Sequence, residues 1–261
     1  MVSILQCCMG VVKDGDETSK LFSRSWKAKL SPLYWRLPML IWSVCIMTWA
    51  FCALPGGNKA KFFIYMTHWG LIMVFLESLF GIVVAVRKPM EAKSDATFGL
   101  PWYVKTYWLL YNVTIPVAFL ISTFYWGLLK SSGKMSYYTP HPVLDMMLHG
   151  VNSVVMLVEL VLSAHPSRLV HIFQPLLFAL AYLGFNLTYY YAGGYDPFGH
   201  TYVYPVMDWS KPQETLVVVA LTGVFLSACH LIVVAIATLR DTLAKRFTKD
   251  TTGICNEGFT A

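Results

Sequence analysis

Six long apolar stretches alternate with short polar or Gly/Pro-rich breaks along this chain. They run about 37–54, 62–86, 104–129, 142–163, 169–192 and 213–239. An α-helix rises 1.5 Å per residue, so about 20 residues cross a bilayer core of about 30 Å. The breaks carry residues that end helices: Pro55-Gly56-Gly57, Arg87-Lys88-Pro89, Pro140-His141-Pro142, His165-Pro166 and Gly193-Gly194. The pattern predicts an all-α membrane protein, a six-transmembrane-helix bundle over 37–239 with polar tails at 1–36 and 240–261. Pro116, inside the third span, predicts a kink.

Composition agrees. Of 261 residues, 56% are hydrophobic and 13% charged, and the mean hydropathy is +0.54. That excludes an ordinary soluble domain. The net charge of +6 is not a nucleic-acid signal, because the basic residues flank apolar spans, where they orient helices and meet anionic lipid. With the N-terminus in the cytoplasm, fifteen of the twenty Lys and Arg residues fall on the inner side, so both termini are expected there. Trp35, Trp42 and Trp49 share one helix face and read as packing or interfacial anchors. The six cysteines show no disulfide or zinc spacing. Cys45, Cys52 and Cys229 read as packing residues; Cys7 and Cys8 are candidates for acylation, or part of an unstructured tail. Asn112-Val113-Thr114 and Asn186-Leu187-Thr188 match the glycosylation pattern but lie within spans, where modification is not expected. No metal set stands out and no cofactor is implied.

The fourth span carries the chemistry. Leu144 to Leu160 reads as a membrane helix, yet holds Asp145, His149, Asn152 and Glu159. Ionisable groups at membrane depth cost several kcal/mol unless they face protein or water. The second span echoes it, with Thr67 and His68 near its start and Glu77 ten residues after Thr67. Spans two, four and six run in the same direction. Thr67 and His149 therefore fall at a common depth of roughly 8–11 Å, and Glu77, Glu159 and His230 at roughly 23–26 Å. An imidazole beside a threonine hydroxyl is a base beside a weak nucleophile. Asp145 and Asn152, four before and three after His149, share its face, and either can fix the ring tautomer. The alternative is that Thr67 bonds its own helix and His149 joins two helices. The deeper Glu/Glu/His layer reads as a structural lock more readily than a proton relay. Transport is disfavoured, because no internal repeat is present.

The motifs YMTHWGL (65–71), HGVNSVVMLVEL (149–160), SAHPSRLVHIFQPLLF (163–178), YYYAGGYDPFG (189–199) and YVYPVMDWSKP (202–212) resemble the rolling stone protein family over roughly residues 30–240. That resemblance implies a role in cell–cell fusion, as in myoblasts, or a related developmental membrane process. It also implies a plasma-membrane rather than endoplasmic-reticulum location. On it rests the expectation that the aromatic outer loop 193–212 meets a protein or membrane partner. The chain is more distantly similar to the androgen-induced and androgen-dependent TFPI-regulating membrane hydrolases. This implies an intramembrane threonine/histidine hydrolase of lipid esters, such as fatty acid esters of hydroxy fatty acids, with Thr67 and His149 catalytic. The histidine-to-glutamate spacing of ten, His149 to Glu159, matches theirs. HGVNSVV departs from their threonine-rich stretch after the histidine.

Overall fold

The computed structural model describes residues 22–26, 30–87, 101–130 and 141–256, with side chains as far as residue 244 and at 246. Six of its helices are long and apolar enough to cross a membrane. We number them α1 (Leu33–Ala53), α2 (Met66–Arg87), α3 (Trp102–Lys130), α4 (Pro142–Leu162), α5 (Leu169–Tyr191) and α6 (Pro212–Ala244). The α6 helix itself continues to Asn256. No strand occurs among the described residues; the one β-bridge joins Ser25 to Ser163. Cys7, Cys8 and Pro140 lie outside the described residues.

The α1–α2 turn needs glycine. Gly56 and Gly57 have φ of 79° and 72°, a region that residues with a Cβ rarely adopt. Gly56 also lies against the backbone of Pro197, so the 193–211 connection rests on this turn. A 3₁₀ turn, Lys59–Ile64, leads into α2. Its orphan carbonyls take side-chain donors: Phe62 O from His68 Nδ1, Phe63 O from Trp69 Nε1, and Ile64 O from the Tyr182 hydroxyl. Irregular backbone at membrane depth persists only when such groups are satisfied.

Helix α3 is the most buried span. Its Val104, Tyr107, Tyr111, Ile115 and Ala118 sit in the main core with Met156 and Leu160 of α4 and Val233 and Ala237 of α6. One polar clasp crosses this core. Arg36 of α1 is fully enclosed. Its guanidinium donates to Glu159 Oε1 of α4 (2.8 Å), to the Gly81 carbonyl of α2 (2.8 Å) and to the Tyr107 hydroxyl of α3. Tyr107 and Trp35 also donate to Glu159. Four helices thereby meet at one ion pair whose donors and acceptors are used, which is what a charge in hydrocarbon requires. At the far end of α4, Arg240 of α6 donates to the carbonyls of Leu160 and His165, each at 2.8 Å. Phe22, 1% exposed, packs into the core, and the Ser25 hydroxyl donates to Leu162 O at 2.9 Å. Part of the expected N-terminal tail is thus built into the bundle. Cys45 and Cys52 face outward; only Cys229 of these three is buried, so packing accounts for Cys229 alone.

Candidate active site

Thr67 is the second residue of α2, and His149 lies in a π-helical turn, Met147–Val151, within α4. Such turns widen a helix by one residue, swing side chains to a new azimuth and recur at functional sites. A second π turn, Tyr125–Lys130, ends α3 at the same place. Five side chains meet where the two turns face each other. His149 Nε2 is 3.3 Å from Thr67 Oγ1. His149 Nδ1 is 3.0 Å from Asp145 Oδ1 and 3.1 Å from the Asp145 carbonyl oxygen. Lys130 Nζ donates to Asp145 Oδ2 at 2.7 Å. The Tyr125 ring stacks on the imidazole at 3.5 Å and 9°.

These contacts assign the tautomer. A carbonyl oxygen only accepts, so Nδ1 carries the ring proton and Nε2 presents a bare lone pair to the Thr67 hydroxyl. The i,i+4 spacing of Asp145 and His149 sets their reach, and the half-exposed Lys130 offsets the charge of a nearly buried carboxylate. Arranged in series, Thr67, His149 and Asp145 form a nucleophile, a base and the group that orients the base.

The site opens on an apolar cavity of about 200 Å³. Leu120, Ile121, Leu144, Leu148 and Leu176 are among its walls, and Thr67, His68, His149, Tyr182 and Tyr204 are among its polar members. Leu180 belongs to the lining and is 59% exposed, so the α5 side of the cavity is also the bundle surface. His68 stacks on Phe62 at 3.9 Å, and its Nδ1–H is held by Phe62 O at 2.6 Å.

The remaining candidates are placed elsewhere. Asn152 is buried, and its Oδ1 accepts no hydrogen bond among the described residues; Asp145 is the residue that fixes His149. Glu77 and Glu159 are both wholly enclosed and lie within each other's electrostatic reach beside Arg36, while the hydrogen bonding of His230 goes elsewhere. Glu159 pairs with Arg36, Glu77 has no hydrogen-bond partner among the described residues, and His230 Nε2 is 3.0 Å from the Arg168 carbonyl oxygen, to which it donates. Asn112 and Asn186 are each 2% exposed, and Asn186 accepts from Trp209 Nε1 at 2.8 Å. Tyr125, Lys130 and Tyr204 carry no signal in the hydrophobic pattern. Two sit at a helix end that reads as interfacial and one in a connection without periodicity.

The chain matches the family model "Protein rolling stone" over residues 15–250. A curated relative, "Protein rolling stone" of Drosophila melanogaster, is 35% identical over 187 residues, which are 67% of this chain and 65% of that protein. The chain therefore spans less than two thirds of that relative's length. No solved structure matches.

Proposed function

The chain belongs to the rolling stone family of multi-pass membrane proteins, and we propose that it is an intramembrane hydrolase of lipid esters. The observation that carries this is the 3.3 Å approach of Thr67 Oγ1 to a tautomer-fixed His149 Nε2 at an apolar cavity. Thr67 Oγ1 attacks the ester carbonyl carbon while His149 takes its proton. The tetrahedral intermediate collapses, and the leaving alcohol takes that proton from His149. Water then attacks the acyl-threonine while His149 takes its proton; the second intermediate expels Thr67 Oγ1, which recovers that proton from His149, and the fatty acid is released. An apolar cavity that reaches the lipid-facing side of α5 suits a substrate already dissolved in the bilayer. Fatty acid esters of hydroxy fatty acids are one such class. The test is turnover of long-chain esters by the purified protein in nanodiscs. Activity present in wild type and absent in Thr67→Ala supports the reading; equal activity in both contradicts it.

A second reading is action in cell–cell fusion, such as myoblast fusion, at the plasma membrane. It is favoured by family membership and by the exposed Tyr191 at the end of α5 and Tyr195 and Phe198 of the 193–211 connection, which offer aromatic surface to a partner or an opposing membrane. Normal fusion in an expressing tissue after deletion of the gene would contradict it.

A further inference from the structure

Resting on the hydrolase reading above, we propose that Tyr204 is the oxyanion donor of the site, supplied by the 193–211 connection rather than by a helix of the bundle. An ester carbonyl attacked by Thr67 moves its π electrons onto oxygen. That negative charge needs a donor already in place within a hydrogen bond's length of the reacting carbon's oxygen. His149 cannot serve, because its Nε2 is occupied with the proton of Thr67 and its Nδ1 with Asp145.

Tyr204 meets the positional requirements. It is 8% exposed and lines the same cavity as Thr67 and His149. Its oxygen accepts the Met66 backbone N–H at 2.9 Å, which fixes the phenol at the first turn of α2, one residue from the nucleophile. The hydroxyl of Thr67 is a neighbour of the same oxygen. Tyr182 spends its own proton on Ile64 O at 2.8 Å, so towards Tyr204 it offers only a lone pair, and the two hydroxyls are hydrogen-bonded with Tyr204 as donor. The Tyr204 O–H thus rests on a neutral hydroxyl oxygen, a weaker acceptor than an oxyanion, and exchanges it for the charged oxygen when one forms in the cavity. Burial holds the phenol above its ordinary range, so it keeps its proton and can donate it. The Met66 N–H polarises the phenol further, since a donor that is itself hydrogen-bonded at its oxygen is a stronger donor.

In the first step the Thr67 Oγ1–carbon bond forms, the carbonyl pair moves to oxygen, and His149 takes the hydroxyl proton. Tyr204 donates a hydrogen bond to the new oxyanion and keeps its proton. On collapse the pair returns, the alcohol leaves with the proton from His149, and Tyr204 is unchanged.

The test is steady-state kinetics of wild type, Tyr204→Phe and Thr67→Ala on a long-chain ester in nanodiscs. Tyr204→Phe is expected to lower kcat by roughly 10²-fold or more while KM stays within about threefold. A Tyr204→Phe enzyme with the wild-type kcat, beside an inactive Thr67→Ala, overturns the role of Tyr204 and leaves Thr67 standing. An unchanged kcat with a raised KM likewise overturns it, making Tyr204 a binding residue only. A fully active Thr67→Ala overturns the underlying hydrolase reading instead. Should Tyr204→Phe not fold, 3,5-difluorotyrosine at position 204 keeps the ring and the hydroxyl but ionises more readily. Its alkaline loss of activity is expected at lower pH than that of wild type, in protein whose thermal melt shows it folded. An unmoved profile overturns the proposal.

Discussion

Thr67 carries an ordinary alcohol until a base takes its proton, so its neighbours decide what it does. Here the ring opposite it is fixed at both nitrogens and stacked on Tyr125. Asp145→Asn keeps the shape but exchanges a pure acceptor for an amide that can also donate, which loosens the tautomer. We expect turnover to fall by roughly 10²–10⁴-fold with little change in KM; an Asp145→Asn enzyme within a few-fold of wild type would show that the Asp145 backbone carbonyl suffices. The Thr67–His149 pair was legible in the sequence because polar residues inside apolar spans are few and helix rise sets their depth. Tyr204 was not, because a connection has no period from which burial can be read. The tautomer was not legible either, since it depends on which of Asp145 and Asn152 the π turn brings to the ring.

Among the elements, α1, α2, α3 and α4 are joined by Arg36 and Glu159. Removing one partner of a buried ion pair leaves the other charge uncompensated, which costs about 3–5 kcal/mol. Glu159→Ala should therefore melt far below wild type, whereas Thr67→Ala should stay within about 1 kcal/mol of it. Equal melting of Glu159→Ala and wild type in detergent would show that the clasp is not structural. Gly81 permits the clasp, since a Cβ there would lie 3.1 Å from Arg36 Cδ and 3.1 Å from Tyr107 Cε2. Gly81→Ala should cost about 1–3 kcal/mol through overpacking, and a wild-type melt would contradict that. The sequence showed Glu159 to be enclosed but not its partner. Arg36 stands at the end of a basic run, indistinguishable by composition from the interfacial cations around it.

For the whole molecule, six spans and their order follow from hydrophobic pattern and helix-ending residues alone, because a bilayer demands long, internally bonded helices. What the pattern does not carry is the packing of the connections. His165, between α4 and α5, is wholly buried and stacked on Tyr111 at 3.7 Å. Burial and the nearby Arg240, Arg36 and His171 hold its imidazole well below the ordinary range. In the unfolded chain it protonates near pH 6.5, so the unfolded state binds more protons below that pH and stability falls as pH drops through it. Between pH 7.5 and 5.5, wild type should lose more thermal stability than His165→Asn; parallel losses would place the acid sensitivity elsewhere.

The most direct measurement is the site of covalent capture by a lipid-like fluorophosphonate, located by tandem mass spectrometry of the purified protein in nanodiscs. An activated threonine predicts an adduct on Thr67 Oγ1 that is absent from Thr67→Ala and strongly reduced in His149→Ala. Undiminished labelling of Thr67→Ala, or no adduct on Thr67 of a folded wild-type protein, would contradict it.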